Sequence, residues 1–192
     1  MIHDGFWNND LTQLASEISF WYKKINELFS QNYHYGDSEV DIANHKLNQS
    51  IFFSATIIRK IVEEENEFYA SIAKYNSAFE DKLCPQKNFH IVHSYQIKSI
   101  KYSLKHESQN YFEDYCIEDY DFSAANKQSH LIKDISNWII HSYVWTLDYN
   151  KNTKQINGFF ISSDYDKSKY VNYIAIQDWV DSVLYCAKHA WL

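Results

Sequence analysis

The sequence predicts an α+β fold: a helical N-terminal half with a long central helix, then a three-stranded antiparallel meander and a terminal helix. Apolar residues recur at spacings of three and four through 11–30 and again through 39–74, the mark of helices with one buried face. Three short β-rich runs follow later, 143–148, 158–163 and 170–176, divided by the polar stretches YNKNTKQ and DYDKSK. The 192 residues, 45% of them hydrophobic, are enough for one core and few for two. The chain therefore reads as a single domain over 1–192, with a helical part at 1–80 and a motif helix, meander and C-terminal helix at 129–192.

The first helix, 11–30, buries Leu11, Leu14, Ile18, Trp21, Ile25, Leu28 and Phe29, and Asn9 or Asp10 supplies its cap. QNYHYGDS at 31–38 is a loop. The second helix, 39–74, turns Ile42, Leu47, Ile51, Phe52, Ala55, Ile58, Ile61 and Val62 inward. Its acidic end, EEENE at 63–67, reads as a solvated face, because consecutive helix residues diverge and cannot converge on a cation. Helical character extends toward Phe79, and Pro85 marks the break.

Residues 89–104 alternate with period two and read as one or two strands or an extended connector, Phe89, Ile91, His93, Tyr95 and Ile97 sharing a side. His90 and His93 then lie on opposite faces and share no metal. The polar, tyrosine-rich stretch 105–128 is a loop with short helical turns. Residues 129–144, SHLIKDISNWIIHSYV, read as a helix capped by Ser129. The meander follows, and 177–191 return to helical spacing through Trp179, Val180, Val183, Leu184 and Ala187.

Composition removes several classes of function. Three glycines cannot build a P-loop, a dinucleotide-binding turn or a nucleophile elbow. With one proline besides, tight turns must lean on Asn, Asp and Ser. A formal net charge of −7 opposes non-specific nucleic-acid binding. The single arginine, Arg59, is the one candidate for bidentate anion recognition, and Glu63, four residues on, is its ordinary surface partner. Cys84, Cys116 and Cys186 form no CxxC pair, which suggests free thiols and no metal cage. The acidic start MIHDGFWNND lacks the basic region of a secretory leader, and no apolar run is long enough to span a membrane. A cytoplasmic protein without membrane contact, metal or cofactor is expected.

The helix 129–144 holds the candidate chemistry. At about 100° per residue, His130, Asp134, Asn137 and His141 fall within about 60° of one another, beside an apolar arc of Leu131, Ile132, Ile135, Trp138 and Ile139. The two histidines stand roughly 16 Å apart along the axis, too far to share a metal. The bland reading of the stripe is a satisfied polar seam inside the fold.

The phrase ISNWIIHSYVW, preceded by a helix reading LNQSIFFSATIIRKIVEEE, resembles HEPN-type proteins. These are small helical, usually dimeric domains, many of them metal-independent ribonucleases of bacterial defence or toxin–antitoxin systems. The resemblance covers about 60 residues in two helices. Their motif sets an Arg, often followed by a polar residue, four to six positions before a His at the dimer cleft. Here His141 matches the His and Asn137 the polar residue. The arginine position corresponds to Ser136 or its neighbours, and no Arg stands in the segment. The meander lies outside the ordinary helical core of such domains.

The resemblance implies a homodimer through the motif helix that acts on RNA, as a metal-independent endoribonuclease or a degenerate form that binds without cutting. His141 would be the general acid/base and Asn137 would orient it. Arg59 or Lys133 would contact phosphate, with His130 and Asp134 on the substrate side. The rival reading is a non-enzymatic interaction or accessory subunit. It would meet a protein partner through the acidic, tyrosine-rich surface at 105–122, where aromatics make good anchors.

Overall fold

The computed structural model describes residues 6–78, 92–105 and 116–190. Two helices open the chain: α1 (Phe6–Ser30) and α2 (Ser38–Ala78). Strand β1 (Gln96–Ser103), a 3₁₀ turn (Ile117–Asp119) and β2 (Asn126–Leu131) follow. Then come α3 (Ile132–Ile140), β3 (Ser142–Asn150), β4 (Gln155–Ser163), β5 (Tyr170–Ala175) and α4 (Ile176–His189). The strands form one antiparallel sheet in the order β2-β1-β5-β4-β3.

The α+β class, the helical N-terminal half and the meander β3-β4-β5 match expectation. The number of strands does not: among the described residues the sheet has five, because β1 and β2 extend it beyond β5. β2 uses residues 126–131, so the helix read over 129–144 shrinks to nine residues. Its N-cap is Leu131, with no side-chain hydrogen bond, and not Ser129. At its far end 142–150 pair with β4. A sheet ladder on both sides outweighs the local helical periodicity, and Tyr143, Val144, Trp145 and Thr146 suit a pleated strand. Likewise β1 starts at Gln96, and His93 sits in a turn before it; His90, Phe89 and Ile91 lie outside the described residues, as do Phe79, Cys84 and Pro85.

α1 begins at Phe6, so Asn9 and Asp10 lie inside it and do not cap it. Its other end closes on Asn32, with φ of 68°, where Tyr33 N–H reaches Leu28 O (3.1 Å) and Asn32 N–H reaches Phe29 O (3.2 Å). A left-handed residue there lets the chain satisfy the last helical carbonyls and turn back. Along α2 the buried residues are Val40, Ala43, Leu47, Ser50, Ile51, Ser54, Ala55, Ile58, Ile61, Val62 and Glu65, a stripe recurring at spacings of three and four. Ile42 and Phe52, expected inside, fall off that stripe and are 58% and 42% exposed.

All four helices lie on one face of the sheet, where Ile97, Ile156, Phe159, Ile161 and Ile174 join their apolar stripes in one core. Two polar fixtures lock the layers. Asn26 of α1 forms a closed pair with the Ile156 backbone of β4, accepting its N–H at 2.8 Å and donating to its carbonyl at 3.2 Å. Trp179 of α4, fully buried, donates its indole N–H to Ser54 Oγ of α2 at 3.1 Å. On the opposite face a smaller cluster of Tyr120, Val144 and Val171 is covered by the segment carrying the 3₁₀ turn. Gly158 is required by this sheet: a Cβ there would come within 2.5 Å of Ile174 O and meet the Tyr173 ring.

The EEENE run is not uniformly solvated. Glu65 is 5% exposed and accepts the His93 N–H at 3.1 Å, while Glu63, Asn66 and Glu67 face solvent. Burial pushes the Glu65 carboxyl from 4.5 up to about 7, against the lowering effect of that N–H. Between those values the unfolded carboxyl gives up its proton while the folded one keeps it. The contribution is therefore present in full below the unfolded pKa and is lost as pH rises through the folded one. Urea unfolding at about pH 5 and about pH 8 should show a loss of up to about 3 kcal/mol across the window. Glu65→Gln should flatten that dependence.

Candidate functional site

The site is built where α2 passes the end of α3. Ile132, Ile135 and Ile139 of α3 and Ile58, Ile61 and Val62 of α2 belong to the same core, so the two helices pack closely along their apolar faces. Arg59, next to Ile58, is carried to the rim of that contact. Its guanidinium donates from Nε to Glu63 Oε1 at 2.9 Å and from Nη1 to His141 Nε2 at 3.1 Å. The sequence separates these two residues by 82 positions; the helix packing joins them.

His141 is the C-cap of α3, with φ −108° and ψ 29°, and its N–H bonds the Asn137 carbonyl at 2.9 Å. The ring is therefore held just past the helix end and is exposed. Arginine has only donors, so Nε2 must be the acceptor and the ring proton resides on Nδ1. The contact presents the Nε2 lone pair beside a fixed positive charge. Arg59 and Glu63 side chains are 39% and 47% exposed, which makes their ion pair a geometric guide for the guanidinium and a minor source of stability.

On the other side of His141 lies a cleft of about 700 Å³, lined by Asn137, Trp138 and residues 163–169 of the β4–β5 turn. That turn is internally braced. Ser163 Oγ donates to Asp166 Oδ2 at 2.9 Å, and Lys167 N–H reaches Ser163 O at 3.0 Å. Tyr120 clamps it from the far face, its hydroxyl donating to Lys167 O at 2.6 Å. The Lys167 ammonium pairs with Asp164 at 2.7 Å and lies 3.4 Å from the centre of the Tyr143 ring. Lys169 stands over the Tyr165 ring at 4.2 Å. The cleft walls thus carry the His141 ring, with the Arg59 guanidinium adjoining it, and two ammonium groups beside the carboxylates of Asp164 and Asp166. These groups can hold a phosphoryl anion and move a proton, provided the anion displaces those carboxylates from the cations.

Of the residues read from the sequence, Arg59, Asn137 and His141 come together. The others do not. His130 is on β2, opposite Ile97, with its ring against Trp138 at 4.8 Å, and burial lowers its pKa. The stripe of His130, Asp134, Asn137 and His141 therefore does not exist as one helical face, since its first member is in a strand and its last beyond the helix end. Lys133 and Asp134 lie in the first turn of α3 and do not line the cleft. The apolar arc of α3 packs, through Ile132, Ile135 and Ile139, into the same core as the α2 stripe. Lys167 and Lys169 were missed; their signal was the SSDYDKSK turn, legible as a turn but with nothing linking it to His141. Cys186 is buried and Cys116 exposed. No family model, curated protein or solved structure compared with this chain matches it.

The contact fixes a tautomer that nitrogen-15 NMR can read. His141 should show protonated Nδ1 and bare Nε2 in the neutral ring. Arg59→Ala should relax that preference while the unfolding free energy changes by less than about 1 kcal/mol.

Proposed function

We propose that this protein acts on RNA at the Arg59–His141 pair, as a metal-independent endoribonuclease of HEPN-like type or its degenerate, binding-only form. The observation that supports the reading is the 3.1 Å contact between the guanidinium and the imidazole. The motif segment lacks an arginine of its own, and Arg59 reaches its histidine from the neighbouring helix. Both groups belong to one copy, so the pair needs no second subunit to form, and a homodimer would bring two such pairs without sharing residues.

A backbone phosphate entering the cleft competes with Nε2 for the guanidinium. Arg59 then turns its donors onto the phosphate oxygens and leaves Nε2 free. The imidazole takes the proton of the ribose 2′-hydroxyl as O2′ bonds to phosphorus. The bond from phosphorus to O5′ breaks, and the imidazolium returns that proton to the departing oxygen. Products are a 2′,3′-cyclic phosphate and a 5′-hydroxyl, with no water or metal consumed. Arg59 stabilises the charge that develops on the phosphorane oxygens, Asn137 anchors the histidine backbone, and Lys167 and Lys169 attract the chain.

A labelled single-stranded RNA incubated with the purified chain tests this. His141→Ala should abolish cleavage, and thermal stability should change by no more than about 1–2 kcal/mol. Arg59→Lys should lower the rate by about tenfold or more, because an ammonium cannot reproduce the planar fork. EDTA should leave the rate intact. RNA retained on the protein without cleavage, and released by both substitutions, identifies the degenerate form. Neither cleavage nor binding overturns the reading and returns the rival, a protein-binding subunit. Of that rival's surface, 105–122, residues 105 and 116–122 are described, and Phe122 there is 42% exposed.

A further inference from the structure

Strand β3 is an edge of the sheet, and a second cleft of about 600 Å³ runs along it, with neither Arg59 nor His141 in its walls. Tyr35 and Tyr149 line it, meeting edge to face at 5.6 Å, as do Phe122 and Phe160 at 5.2 Å, and Trp145 lines it too. Trp145 is held in place, its indole N–H on Asn48 Oδ1 at 3.2 Å and Asn48 in turn donating to Asn44 Oδ1 at 3.1 Å. Within these rings sits Asp148, half-buried, and among the described residues it accepts no hydrogen bond and pairs with no cation. Lys151 lines the cleft, yet its exposed ammonium makes no ion pair with that carboxylate.

Burial raises the Asp148 pKa, and its charge helps to raise those of Tyr35, Tyr102 and Tyr173. A carboxylate placed among ring faces without a counter-charge is costly unless a cation arrives to pair with it. Aromatic faces attract cations, and a planar, weakly hydrated one can stack on them while its N–H fork meets a carboxylate. The chain's one arginine is engaged with Glu63 and His141, so such a group must come from another molecule. We propose that the β3-edge cleft binds a guanidinium, stacked on the aromatic walls and forked onto Asp148.

Isothermal titration of the full chain tests this with two probes, arginine amide and acetyl-Gly-Arg-Gly amide, each beside its citrulline counterpart. Citrulline keeps the planar shape and removes the charge. Saturable binding of the arginine probes, with the citrulline probes weaker by at least about tenfold, is the expected result. Asp148→Asn should abolish the difference, and Trp145→Leu should weaken both arginine probes. Equal affinity for the two arginine probes identifies a free guanidine compound as the ligand; tighter binding of the peptide identifies an arginine side chain of a protein segment. No saturable binding, or citrulline binding as tightly as arginine, overturns the proposal on the wild-type chain alone.

Discussion

The packing of α3 against α2 is the constraint on which the site depends. Neither helix carries a complete reactive group. Nine residues of α3 position His141 at their end, and forty-one residues of α2 supply Arg59 along their length. Three isoleucines of α3 meet the α2 stripe in a core from which water is excluded, and the burial of such side chains is worth about 1.5–3 kcal/mol each. That energy holds two polar groups at 3.1 Å although their own contact is exposed and weak. The precision of the polar pair is thus borrowed from apolar packing behind it.

The sheet sets the other wall. Because β3 and β4 form a hairpin directly after α3, the strand emerging beside His141 pairs with the strand that ends in the β4–β5 turn. Ser142 lies opposite Ser163 in that ladder, which brings residues 163–169 to the imidazole. The turn then stiffens itself through Ser163 and Asp166 and is fastened across the sheet by Tyr120. Lysines on an unbraced turn would lose conformational entropy on meeting an anion; here Lys167, with its side chain 15% exposed, is already placed.

Charge at the site is arranged in pairs. Around one imidazole Arg59, Lys167 and Lys169 gather together with Glu63, Asp164 and Asp166, so the cations stand there balanced by carboxylates. The carboxylates of Glu63 and Asp164 orient two of these cations, Arg59 in the open and Lys167 with its side chain largely covered. Elsewhere the structure withdraws carboxyls from water, fully at Glu65 under the His93 turn and partly at Asp148 among the rings of the β3 edge. These two have opposite settings: Glu65 faces the protein interior and a backbone donor, whereas Asp148 faces a cleft.

Periodicity by itself determined the helices 11–30 and 39–74, the terminal helix and the meander, because each buries a face whose spacing repeats long enough to leave one reading. Composition singled out Arg59, the only guanidinium, and the resemblance of the motif segment singled out His141. What periodicity could not decide was the end of a segment where two patterns overlap. SHLIKDISNWIIHSYV carries helical spacing throughout, but β1 captures its first residues and β4 its last, and ladder hydrogen bonds with distant strands are invisible to a local window. For the same reason His130, on the face of His141 in an ideal helix, is carried into a strand, while Lys133 and Asp134 stay in the first turn of α3, away from His141. Arg59 and the lysines of the turn, far along the chain, stand close. Proximity across 82 residues arises from how two apolar stripes and a strand ladder pack, and only the tertiary structure settles that.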